Sequence, residues 1–175
     1  MIFTTISPDG VPNAAPIGLH MKDGRFFARI YNSKTLDNIL GKKAAVANIV
    51  DDPILFVQSA LSDIQPDNFD LIGGFPVLKD ALGWIVFDCM CRKGENISVV
   101  ELLPVESKIK RRQIKPINRG FNAVIEATVE ATRYVVSKDQ KYLDRFEYYD
   151  TIVQKCGGSR EREAMKLLFD LIGEE

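Results

Sequence analysis

Up to residue 31 the chain alternates between short β-branched or aromatic runs and compact turn signals. Residues 1–7 read as a strand ending at Ser7-Pro8-Asp9-Gly10, residues 14–22 as a second strand closed by Lys22-Asp23-Gly24, and residues 26–31 as a third. Short strands joined by Asp-Gly turns predict an antiparallel meander. The period then changes. Leu36, Ile39 and Leu40 fall at i, i+3 and i+4, one face of a helix over residues 32–42 with Asn32 or Ser33 as N-cap and Gly41 as its stop. Residues 44–50 return to a strand. Asp51-Asp52-Pro53 then opens a short helix through Leu61, an acidic cap followed by a first-turn proline. Residues 62–76, punctuated by Pro66, Gly73, Gly74 and Pro76, read as loop, and strands follow near 83–92 and 97–110.

From Asn118 onward there is no proline, and segments 119–135, 139–155 and 160–172 carry helical periodicity, with Ser159 capping the last. The expected fold is mainly β with α, of the α+β class. A β-barrel-like sheet over residues 1–115 is followed by a helical subdomain over residues 116–175.

Composition narrows the chemistry. Of 175 residues, 46% are apolar and 27% charged, the usage of an ordinary globular chain. Lys and Arg number 23 against 24 Asp and Glu, a net charge of −1, which argues against a protein that coats nucleic acid. A single histidine, His20, excludes His-rich metal centres and most histidine-based catalysis. The three cysteines cannot build a zinc site, so no metal is expected; Cys89 and Cys91 share a strand face and read as small core hydrophobes. The odd cysteine count, the absence of a signal-like N-terminus and the absence of a membrane-length apolar run lead to an expected cytoplasmic location without membrane contact. No carboxylates form a clear acid–base pair: Glu126 and Glu130 read as a polar helix face, and Asp51 and Asp52 as caps. Trp84 reads as a packing residue. No catalytic residue is assigned.

The most informative segment is Asn32-Ser33-Lys34-Thr35-Leu36-Asp37-Asn38-Ile39. A helix start offers free N–H groups and a partial positive charge, which together favour phosphate. Ser33 and Thr35 add hydroxyl donors, Lys34 adds charge, and Asn38 follows Thr35 by one turn on the same side. An ordinary capped helix with a solvated lysine is the alternative. Asn13-Ala14-Ala15-Pro16-Ile17 is small and rich in accessible backbone, suited to close approach by a flat ligand or simply to a strand start. Asn48, a lone amide in an apolar strand, is either a network residue or a ligand contact. Lys108, Lys110, Arg111, Arg112, Lys115 and Arg119 form a basic run whose alternating members would line one strand face, read as a strand end in solvent, a site for a phosphate-bearing substrate, a contribution across a dimer to the phosphate, or, against the neutral balance of the chain, a nucleic-acid contact.

The order Thr4-Thr5, Asp9-Gly10-x-Pro12 to Gly18, Tyr31 to Ile39 and Ala47-Asn48-Ile49 resembles the FMN-binding split barrel of flavin-reductase-like proteins. Asp51-Asp52-Pro53-x-x-Phe56 and Pro116 to Glu126 resemble more closely a largely archaeal branch, the "domain of unknown function 447" family. The resemblance implies a homodimer with FMN near its interface. The phosphate would lie on Ser33, Lys34, Thr35 and Asn38, with Asn32 at the helix entry. Asn13, Ala14, Ala15, Pro16 and Ile17 would face the isoalloxazine edge, with Asn48 helping from the next strand and Tyr31 beside the ring or in the core. It implies an oxidoreductase with an unknown small-molecule donor or acceptor; a flavin-binding or flavin-sensing module without turnover is the alternative.

Overall fold

The computed structural model describes residues 1–173. Met1–Asp51 and Asp63–Gln113 make one compact unit; Asp52–Ser62 joins the chain from Ile114 onward in a second.

The first unit contains β1 (Ile2–Ile6), β2 (Pro12–Pro16), β3 (Leu19–Lys22), β4 (Arg25–Tyr31), α1 (Lys34–Lys42), β5 (Ala44–Ile49), β6 (Phe69–Ile72), β7 (Phe75–Leu78), β8 (Gly83–Arg92) and β9 (Ile97–Ile109). Seven strands form one antiparallel sheet in the order β2-β1-β5-β8-β9-β4-β3. The segment read as one strand over 14–22 is therefore two strands, and they occupy opposite edges. Pro16 sits opposite Ile2, and Met1 and Ile17 exchange the last backbone hydrogen bonds before the chain leaves β1.

That break dictates the shape of the unit. Only Ile17 and Gly18 separate β2 from β3, a reach of about 10 Å. In a flat sheet, six inter-strand spacings would put those edges about 29 Å apart. The sheet must curl until its edges nearly meet, and the result is a half-barrel split between β2 and β3 rather than a meander. Phe3, Ala28, Ile30, Ala47, Phe87, Val100 and Leu102 fill its interior, and α1 adds Leu36 and Ile39 from the side. Each of those two side chains contributes about 1.5–3 kcal/mol by leaving water.

Two further boundaries differ from the sequence reading. Helix α1 runs through Gly41 and stops at Lys43, which adopts the left-handed conformation (φ 53°) and donates its N–H to Ile39. The span read as loop over 62–76 contains the start of a hairpin, β6–β7, whose Gly73-Gly74 turn has positive φ at both residues. A second small core of Val46, Val77, Trp84 and Val86 lies against it.

The second unit consists of α2 (Pro53–Leu61), α3 (Arg119–Ser137), α4 (Gln140–Cys156) and α5 (Ser159–Gly173). Asp52 caps α2, accepting from the N–H groups of Ile54 and Leu55. Val57 of α2 joins Ala123, Val124, Ala127, Phe146, Val153, Met165 and Leu168 in one core. The alanines of α3 allow close helix approach, and at Gly120 the approach reaches backbone: a Cβ there would overlap Gly157. Glu130 departs from the expected polar face. It is buried, with Arg133 at 3.0 Å and Arg145 at 3.8 Å.

Candidate functional site

The site is built where β4 hands over to α1. Ser33 is extended (φ −166°, ψ 164°), and its Oγ accepts from Leu36 N–H at 3.5 Å and donates to the Tyr31 carbonyl at 3.0 Å. Between the expected caps, Ser33 is thus the one used; Asn32 instead donates to the Glu95 carbonyl at 3.0 Å. The amides of Lys34 and Thr35 open the helix and have no intrahelical acceptor, which leaves two donors and the positive helix end free for an anion.

Thr35 and Asn38 are buried, yet neither is fully satisfied. Thr35 Oγ1 accepts from Asn13 Nδ2 at 3.0 Å, which leaves its hydroxyl proton without an acceptor among the described residues. Asn38 Nδ2 donates to Thr5 Oγ1 at 3.0 Å, and Asn38 Oδ1 has no donor among them. Asn38 thus brings an unused acceptor to the lining of the adjacent cleft, whereas the unused Thr35 proton is buried outside that lining. Both side chains are held at fixed positions by strands β1 and β2, because Thr5 and Asn13 are direct partners in the β1–β2 ladder.

A cleft of about 520 Å³ opens over this corner, within the range of small-ligand sites. Asn13, Ala14, Lys34 and Asn38 line it, and Asp63 to Pro66 form the opposing wall. Lys34 Nζ reaches Asp63 at 3.4 Å, but both side chains are largely exposed. Such a pair is worth under about 1 kcal/mol, so the ammonium is free to turn to a stronger anion. Strand β2 pairs with β1 alone, so its other edge presents unpaired backbone groups. Ala15, Pro16 and Ile17 continue that strand beyond the cleft lining, with Ile17 packed on the barrel core. Tyr31 is 67% exposed on β4, so the core alternative for its ring does not hold.

Asn48 is placed elsewhere. It is fully buried, and its Nδ2 donates to Ile2 O (3.2 Å), Thr4 Oγ1 (3.0 Å) and Val46 O (3.3 Å). Its Oδ1 accepts from Leu78 N–H at 2.9 Å. Of the two readings of this amide, the geometry is that of a network residue: it ties β7 to β1 and β5, joined by a hydrogen bond from Thr4 Oγ1 to the Pro76 carbonyl. Two contributors escaped the sequence reading. Thr5 matters only because it faces Asn38, and Asp63 to Pro66 reach the cleft through the tertiary path of their loop. Neither carries a local pattern.

The basic run does not form a strand face, because β9 ends at Ile109. Lys110 and Arg111 turn back to the carbonyls of Lys79 (2.8 Å) and Asp80 (3.1 Å), and Arg119 lies on α3 beside Cys156. Cys89 is buried in the barrel core; burial, with Asp88 and Cys91 close by, pushes its thiol up to about 12. Among the described residues no cluster of His, Cys, Asp and Glu could hold a metal ion, and no helix is long and apolar enough to cross a membrane.

Two family models match: "Protein of unknown function (DUF447) N-terminal domain" over residues 1–111 and "Protein of unknown function (DUF447)" over residues 118–170. Among solved structures, an FMN-bound DUF447 protein from Methanosarcina mazei is 42% identical. The match covers 98% of this chain and 93% of that one, with a TM-score of 0.92. A flavin reductase domain protein from an Arthrobacter species is 19% identical over 63% of this chain and 77% of its own, with a TM-score of 0.54. An FMN-binding protein from Thermus thermophilus, with bound p-hydroxybenzaldehyde, is 11% identical over 62% and 70%, with a TM-score of 0.52. The last two share the barrel fold.

Proposed function

The chain belongs to the DUF447 family, and on that footing we propose that it binds FMN at the α1 cleft and serves as an oxidoreductase of flavin-reductase-like type. The observation that carries the proposal is that a relative 42% identical over nearly the whole chain holds FMN. The local chemistry fits. The α1 amides, the Thr35 hydroxyl proton and the Lys34 ammonium form a donor set for a phosphate, and Asn38 Oδ1 is an acceptor for a hydroxyl or ring N–H. Asn13 and Ala14, beside the free edge of β2, leave space for a flat ring. Thr5 and Asn13 would hold Asn38 and Thr35 in their orientations, and Ser33 would fix the helix start. Asn48 would act through the fold rather than by contact.

Bound FMN would supply the electron transfer, and the chain would hold and orient it. A homodimer is part of the proposal, supported by the exposed apolar side chains Val105 and Ile109 toward the end of β9. A second reading, a flavin carrier without turnover, is favoured by the cleft lining, which contains neither histidine nor cysteine. Anaerobic reduction separates the two. Reduction of the bound flavin by NADH, NADPH or a deazaflavin donor faster than that of free FMN supports the enzyme; equal or slower reduction supports the carrier.

A further inference from the structure

A separate cleft of about 650 Å³ lies on the outer face of the barrel, over β3, β4, β9 and β8. Strand register fixes its composition. Arg29 of β4 and Arg92 of β8 both pair with Val99 of β9, from opposite sides. The three therefore stand in one row on one face, with the two arginines about 10 Å apart at their roots. In the next row Phe27 has His20 on one side and Glu101 on the other, with Met90 beyond. Lys22 and Arg25 close the third row. The result is three apolar side chains, Val99, Phe27 and Met90, set around Glu101 and bordered by cations.

The charges do not balance. Four cations line the cleft against one carboxylate, Glu101, in a chain whose net charge is −1. Arg25 is paired with Glu101 at 3.4 Å. Arg29, Arg92 and Lys22 have no ion pair or hydrogen bond among the described residues. Unpaired guanidiniums flanking these apolar side chains match a ligand with an anionic end and a flat apolar body, because guanidinium takes phosphate oxygens in a bidentate fork and an aromatic face accepts a ring. The same excess of cations disfavours a second copy of this face as the occupant, since a two-fold contact would set like charges together.

We propose that this outer cleft is a second ligand site, distinct from the α1 cleft, that takes a nucleoside phosphate with its phosphates on Arg29 and Arg92 and its ring on Phe27, beside Glu101. The inference stands whether or not the α1 cleft holds flavin.

The test is calorimetry on the full chain, with and without FMN, using ADP, adenosine and pyrophosphate as probes. ADP is expected to saturate at one per chain with a Kd below about 1 mM, and adenosine and pyrophosphate to bind at least about tenfold more weakly. The double variant Arg29→Ala/Arg92→Ala should weaken ADP by more than about tenfold and leave FMN affinity unchanged; the double lysine variant should fall between, keeping charge but losing the fork. Circular dichroism checks that the variants fold, and Arg112→Ala, outside the cleft, should change nothing. The proposal is overturned by absent ADP binding, by binding insensitive to both variants, or by displacement of FMN one for one. A fall from dimer to monomer in the alanine variant without ADP also overturns it, since the face would then meet a second copy.

Discussion

Asn48→Ala gives the sharpest prediction for the barrel, because the structure separates two explanations of one residue. The side chain uses both Nδ2 protons and its Oδ1 in hydrogen bonds in a site closed to water. Alanine leaves the Leu78 N–H buried without an acceptor, at a cost of about 1–3 kcal/mol. Loss of the donations to Thr4 Oγ1 and Ile2 O adds about 1 kcal/mol each. The 3.3 Å contact to Val46 O, two residues away, adds little. The expected loss is about 3–5 kcal/mol, a large part of the roughly 5–15 kcal/mol that holds a domain together. Trp84 is the sole tryptophan and the direct cross-strand partner of Asn48, so its fluorescence reports on this corner. Urea unfolding followed by that signal should show a midpoint lower by about 2 M, taking a slope of about 2 kcal/mol per molar. The folded variant should bind FMN within about threefold of the parent affinity, less than 1 kcal/mol. A stability loss under about 1 kcal/mol, or an FMN affinity reduced by more than about tenfold in folded protein, would refute the network account.

Three other outcomes follow from single contacts. Thr35→Val keeps the shape but removes both the hydroxyl proposed to meet the phosphate and the acceptor of Asn13 Nδ2, so FMN should bind roughly ten- to a hundredfold more weakly by fluorescence titration, with a stability loss of about 1 kcal/mol. Gly120→Ala should lower the stability of the helical unit by at least about 2 kcal/mol in thermal unfolding, since its Cβ meets the Gly157 backbone and not a yielding side chain. Cys89 should resist a thiol reagent at pH 8 in the folded protein and react after unfolding, as located by mass spectrometry; burial keeps it protonated.

Helices were legible wherever the local pattern and the packing agree. Leu36 and Ile39 mark the buried face of α1, Asp52-Pro53 marks the start of α2, and the proline-free tail gives α3 to α5. The strands were legible as strands but not as neighbours. Nothing local in Asn13 to Lys22 says that the chain crosses from one sheet edge to the other at Ile17-Gly18, because that is a property of register with β1 and β4. The Gly73-Gly74 turn was visible, yet four-residue strands carry too little alternation to stand out beside it.

The site divides along the same line. Ser33, Lys34, Thr35 and Asn38 fall within one helix start, so local sequence exposes them together. Asn48 has the composition of a ligand contact and the geometry of a core clamp, and only its partners distinguish the two. Thr5, Asp63 and the unpaired Arg29 and Arg92 depend on pairing between distant segments, which no spacing along the chain encodes.

The central claim is most directly tested by titrating FMN-stripped full-length protein with FMN while following flavin fluorescence and bound flavin per chain. The account predicts saturable binding of one FMN per chain, weakened by Thr35→Val. Absence of saturable binding by folded protein, or binding that Thr35→Val and Asn38→Ala together leave unchanged, would contradict it.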